Sequence, residues 1–183
     1  DMNDTARLLD AISTVQMAAP FQVPLPSESF TATLNSLPKT LTIAYSTESP
    51  VGTPVSDEAK QAVQDAVDFL SSEGYNMVPA DAPIDGIGLM KSYYLMNAGE
   101  TATMFANMHL NDQVIKKNVE PLSWALGYAG RSITAVQYSQ ALAFWDNISS
   151  DMDAFQQEFD LYLTPTTAHQ APRIDQPLVS AEN

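Results

Sequence analysis

Phe159-Asp160-Leu161-Tyr162-Leu163-Thr164-Pro165-Thr166-Thr167 is a short apolar run that stops at a proline. Leu161 to Leu163 is too brief for a helix, and Asp160 and Pro165 bound it as a strand, which reads as an interior one with Leu161 and Leu163 in the core. Proline has no N–H for a ladder, so Pro165 marks where the chain leaves the sheet and puts Thr164, Thr166 and Thr167 at the strand's carboxyl end. In open α/β sheets that end is where ligands bind. These threonines are the best pocket candidates on topology, and a plain strand-ending turn explains them equally well.

Upstream, the pattern supplies a sheet for this strand to join. Leu41, Ile43 and Tyr45 alternate with Thr42, Ala44 and Ser46, the two-residue period of a strand. Ser56 can cap a helix with Asp57 and Glu58 in its first turn, an apolar stripe of Ala59, Val63, Ala66, Val67 and Leu70, and a stop at Gly74. Tyr75 to Val78 follows as a second strand. Strand, amphipathic helix and strand form a βαβ unit, whose right-handed crossover makes the two strands parallel.

The remaining chain is mostly helical. Leu8, Leu9, Ile12 and Val15 recur at helical spacing behind Asp1 and Asp4, which predicts a helix of about four turns. Pro20, Pro24 and Pro26 then end it, and residues 18–39 read as a connecting segment. From Ile87 to Met108 the pattern is apolar on several faces, which predicts a mostly buried helix. Pro121 and Gly130 bracket a shorter helix. Thr134 with Gln137 forms a capping box for a last helix whose seam is Tyr138, Ala141, Leu142, Trp145, Ile148, Met152 and Phe155. Residues 168–183, with Pro172 and Pro177, read as a surface tail.

The 183 residues suit a single α/β unit over 1–183 by length. Hydrophobic residues are 45% and charged ones 16%, and no run reaches the roughly 18 apolar residues of a membrane helix. With 8 basic and 22 acidic side chains the net charge is −14, a field that repels phosphate backbones and anionic headgroups, so neither nucleic acid nor membrane is an expected partner. The absence of cysteine excludes disulfides, thiolate metal sites and a cysteine nucleophile. The chain starts at Asp1 and runs straight into helix, so it is expected to be cut from a longer protein with catalytic residues upstream.

Local motifs carry little chemistry. There is no Gly-x-Ser-x-Gly, Gly-x-Gly-x-x-Gly or Gly-x-x-x-x-Gly-Lys, and no cofactor or metal is expected. His109 and His169 lie far apart in sequence, and an ordinary surface or hydrogen-bonding role suits each. Glu100 could be a buried carboxylate of raised pKa, or could occupy the wet stripe of its helix or pair with a basic residue. Asn97 could hold an amide or carboxylate, or bond a nearby loop. The Met-rich face reads as core ahead of a binding groove.

Four stretches together carry a resemblance. Asp4-Thr5-Ala6-Arg7-Leu8-Leu9-Asp10-Ala11, Pro54-Val55-Ser56, Met96-Asn97-Ala98-Gly99-Glu100-Thr101, and Tyr162-Leu163-Thr164-Pro165-Thr166 with Ala171-Pro172 resemble, in order and spacing, the carboxyl-terminal part of an amidase signature enzyme. The similarity covers nearly the whole chain and is greatest to bacterial amidases akin to the 6-aminohexanoate-cyclic-dimer hydrolases. It implies an α/β fold with a mixed, partly parallel sheet flanked by helices, the second half of that family's fold. It also implies hydrolysis of carboxamide C–N bonds by a serine nucleophile, a second serine on a cis peptide and a lysine base, all on upstream residues. No catalytic residue is then expected in this chain, which is expected to be inactive alone. Asn97 and Thr166 are the substrate-lining candidates that the resemblance implies.

Two functions follow. One is the carboxyl-terminal segment of an amidase, catalytically incomplete, whose full-length form takes a small-molecule amide in the cytoplasm. The other is a stand-alone α/β module holding a small ligand at the strand ends near Thr47 and Thr166. In the first case the helix over 87–108 has lost part of its cover, which predicts a homodimer through an exposed apolar face carrying Tyr93, Met96 and Met104.

Overall fold

The computed structural model describes residues 1–19, 21, 23–34, 36 and 40–173. The chain divides into two compact units, Asp1–Thr40 and Leu41–Asn183.

In the first unit, helix α1 (Met2–Ile12) starts at Asp1, whose carboxylate accepts the Asp4 N–H at 2.9 Å. It is a turn shorter than its apolar period suggests, because Ser13 leaves the helical region at ψ 87° and Val15 lies beyond it. A one-turn helix α2 (Phe30–Thr33) stands inside the segment 18–39, which the sequence presents as a connection. Its N-terminal N–H groups are held by Ser29 and by Asp10, 20 residues upstream, a partner that no local period can announce. Pro20 and Pro38 lie outside the described residues, as do residues 174–183 of the tail, including Pro177.

The second unit runs β1 (Thr42–Tyr45), α3 (Asp57–Ser72), β2 (Asn76–Pro79), α4 (Gly86–Asn107), α5 (Asp112–Asn118), α6 (Pro121–Gly130), α7 (Ala135–Gln156) and β3 (Leu161–Leu163). The strands form a parallel sheet in the order β2-β1-β3, with Ile43 opposite both Met77 and Leu161 and Tyr45 opposite both Pro79 and Leu163. The expected βαβ unit is thus present, capped as predicted, with the Ser56 hydroxyl accepting the Ala59 N–H at 3.3 Å.

The position of β3 differs from the expectation. Among the described strands it is an edge, and the central strand is β1, whose Ile43 and Ala44 are 3% and 0% exposed. With no described strand beyond it, β3 leaves Leu161 52% exposed, outside the core, while Leu163 is half-buried. The inward anchor of β3 is Tyr162, whose ring meets Phe155 edge-on at 5.2 Å, with Phe159 4.8 Å from Phe155.

The helices pack on α4 through small residues. A Cβ on Gly127 would sit 2.3 Å from the Phe105 ring, and one on Gly130 would sit 1.8 Å from the Ala98 carbonyl oxygen, so α6 lies against α4 with no room for a methyl group. On the α7 side, the Trp145 indole N–H donates to Ser92 Oγ at 2.9 Å, and Ser92 in turn donates to the Leu89 carbonyl. These two contacts bury Ser92, Ala98 and Phe105. The rest of α4 departs from the prediction of a mostly buried helix: Ile87, Met90, Tyr93, Tyr94 and Met104 are exposed, because within this unit α6 and α7 cover only the side that carries the small residues. On α7, Ala141 is buried but Leu142, expected in the seam, is exposed. Helix α5 lacks a strong period and escaped the sequence reading. It buries Ile115, is capped by Asn111, and is tied to α6's end by a bidentate Arg131–Asp112 pair at 2.6 and 2.7 Å.

Candidate functional site

All three strands point their carboxyl ends the same way, and each leaves the sheet into a polar segment. β1 runs into Ser46, β2 into Asp81 and β3 into Thr164. The ends are stitched across the sheet, with the Ser46 N–H donating to the Leu163 carbonyl and the Ala80 N–H to the Tyr45 carbonyl, both at 3.1 Å. Between these ends lies a cleft of about 500 Å³, whose polar lining includes Ser46, Glu48, Asp81, Tyr162, Thr164 and Thr166. This is where a parallel sheet places its ligands.

Local bonds hold the lining. The Ser46 hydroxyl, buried at 6% exposure, donates to Asp81 Oδ1 in a short hydrogen bond and accepts the Glu48 N–H at 3.1 Å. Tyr162 Oη accepts the Ala82 N–H at 3.3 Å, setting the phenol beside the Asp81 segment. Glu48 is paired with Lys60 Nζ at 3.0 Å. The loop after β3 is pinned to the start of α3 by the Ser56 N–H, which donates to the Ala168 carbonyl at 2.9 Å. The loop between β1 and α3 is backed by the first turn of α4, where a Cβ on Gly86 would lie 2.1 Å from the Pro50 carbonyl oxygen, so only glycine fits.

The arrangement can bind a small polar molecule through hydroxyls and a carboxylate. Ser46 already donates to a carboxylate, and the described lining residues include no lysine or histidine to act as its base. Neither histidine lines the cleft. His109 ends α4 in the left-handed region at φ 53°, a position where histidine is tolerated better than bulkier residues, and His169 is exposed with its carbonyl accepting the Thr167 hydroxyl at 2.7 Å. Among the described residues no group of three His, Cys, Asp or Glu side chains is placed to hold a metal ion, and no helix is long and apolar enough to cross a membrane.

The two substrate-lining candidates fall in different places. Thr166 is exposed on the cleft wall. Asn97 is half-buried in the middle of α4, its amide donates to the Tyr93 carbonyl at 2.9 Å, and it is not among the residues lining the cleft. Glu100 is exposed and accepts the Tyr138 O–H, a bond that, with burial, raises the tyrosine's pKa above its ordinary value. Sequence reasoning missed Ser46, Asp81 and Tyr162. The signal for the first two was present, since each follows the end of a strand that the βαβ pattern had already marked.

The family model described as Amidase matches residues 1–182. A lipoamidase of Enterococcus faecalis is 45% identical over 146 residues, which is 77% of this chain and 20% of that protein. The fold superposes over 100% of the chain on 39% of a 6-aminohexanoate cyclic dimer hydrolase complexed with substrate, with a TM-score of 0.89 at 19% identity. It superposes over 92% of the chain on 35% of a bacterial aryl acylamidase of the amidase signature enzymes, with a TM-score of 0.76 at 18% identity. The chain spans a fifth of the curated relative and under two fifths to about two fifths of the solved structures. Matched over nearly its full length by the family model and folded like those hydrolases, this chain belongs to the amidase signature family.

Proposed function

We propose that this chain is the carboxyl-terminal part of a carboxamide hydrolase and that it contributes one wall of the substrate site without a nucleophile of its own. The observation that carries this reading is the cleft itself. It sits at the carboxyl ends of parallel strands, its one described buried serine is tied to a carboxylate, and no lysine or histidine is among its described lining residues. The nucleophilic serine, the serine on a cis peptide and the lysine base that the family resemblance implies belong to upstream residues. In the full-length enzyme the partner is a small amide, in the cytoplasm, with Thr166 facing it. Alone, the chain associates with a second copy through the exposed side of α4.

The test is to assay the chain against acetamide, benzamide, lipoamide and p-nitrophenyl esters, beside a longer protein that includes the upstream segment. The chain alone is expected to stay at background and the longer protein to turn over at least one amide. Turnover by the chain that survives repurification and disappears in Ser46→Ala would overturn the reading.

A further inference from the structure

Charge within the cleft is one-sided. Among the described residues that line it there is no lysine, arginine or histidine, and two carboxylates are present. One of them, Glu48, is already neutralised by Lys60. The other, Asp81, has a single described hydrogen bond, from Ser46 to Oδ1, which leaves Oδ2 as an acceptor. Around it the lining offers hydroxyls. Tyr162 Oη takes the Ala82 N–H and keeps its own proton to give, and no described hydrogen bond occupies the side chains of Thr164 or Thr166.

We infer that the cleft receives the N–H-bearing end of its ligand, a primary ammonium or an amide N–H, with Asp81 Oδ2 as the acceptor that sets this preference and excludes carboxylates. The inference rests on the cleft being the amide site and names which end of the amide enters it. An ammonium gains a charge-assisted hydrogen bond to Asp81, whereas a carboxylate would meet the same oxygen with no described cation in the lining to offset the repulsion. The neutral hydroxyls serve either kind of ligand and do not discriminate. For an amide hydrolase this would place the amine side of the scissile bond, and not the acyl side, against this wall.

Binding reads this out without catalysis, so it separates from the activity assay above. n-Butylammonium, butanamide and butyrate are titrated separately into the chain, following the backbone amide NMR signals of Asp81, Ala82, Thr164 and Thr166. Butylammonium and butanamide are expected to shift these signals at millimolar concentration and butyrate to leave them in place. Asp81→Asn, which keeps an acceptor for Ser46 and should preserve the fold, is expected to weaken butylammonium roughly tenfold and butanamide much less. General attraction of a cation to a chain of net charge −14 would survive the loss of one charge, so butylammonium binding unchanged in Asp81→Asn overturns the inference. So does butyrate binding as well as butylammonium, or no binding by any of the three. Should Asp81→Asn not fold, the ranking of the three ligands on the unaltered chain decides.

Discussion

Asp10 joins two segments that local sequence leaves unrelated. Its carboxylate accepts the Thr31 hydroxyl at 2.7 Å, the Phe30 N–H at 2.7 Å and the Thr31 N–H at 3.2 Å, fastening α2 to the end of α1. The Thr31 hydroxyl is the largest influence and, with the two N–H groups, it outweighs partial desolvation, so the folded pKa lies below the ordinary 3.8. A depressed carboxylate pKa stabilises the fold above the unfolded value, and that stabilisation is lost as pH falls through the folded value. Titrating the Asp10 carboxyl by NMR should give a midpoint below 3.8, tracked by the Phe30 and Thr31 amides, and Thr31→Val should move it back up. A midpoint at or above the ordinary value would mean that the clasp does not form in solution.

Between elements, the tightest constraint is where α4 meets α6. The close approach at Gly127 and Gly130 lets Phe105, 2% exposed, stack on Trp124 at 6.2 Å, and lets Arg131 lie 5.9 Å from the Trp124 ring. Gly130→Ala would push a methyl group into the Ala98 carbonyl, which is backbone and cannot turn aside, so the helices must separate. The expected cost is about 2–4 kcal/mol in urea or thermal unfolding. Gly74→Ala is the contrast, since its Cβ would meet nothing within 4 Å and the penalty is only that of φ +92° for a non-glycine, about 1–2 kcal/mol. Equal losses in the two variants would show that the α4–α6 contact yields more easily than its geometry implies.

Several of the second unit's exposed apolar side chains lie on α4. Met90, Tyr93 and Met104, 3 and 11 residues apart, share one face of α4 and are exposed, as is Met108 at its C-cap. Exposed apolar side chains grouped on one helix mark a surface for association, and Asn97 and Glu100 divide this one into two parts between Tyr93 and Met104. Sedimentation velocity over a range of concentrations should show association, and a hydrophobic dye should bind. Tyr93→Lys with Met104→Lys should reduce both, with the unfolding midpoint little changed. A strictly monomeric chain that binds no dye would overturn association through this face.

Much was legible where the physics is local. The caps at Ser56 and Thr134, the proline opening α6 and the strand–helix–strand order of β1, α3 and β2 each depend on residues within a few positions of one another. Pro165 placed the carboxyl end of β3 correctly, and Thr166 beyond it lines the cleft. The strand order was not legible. β1 became central because Asp160 and Leu161 return to it across more than a hundred residues, with the Thr42 N–H donating to the Asp160 carboxylate at 2.8 Å. An apolar run of three residues says that a strand exists and nothing about how many neighbours it has. For the same reason Leu161 looked like core, Ser46 read only as an alternating position of a strand, and Asp81 drew no reading. Only the tertiary pairing, which sets β1 between β2 and β3 with their carboxyl ends together, brings those side chains into one cleft.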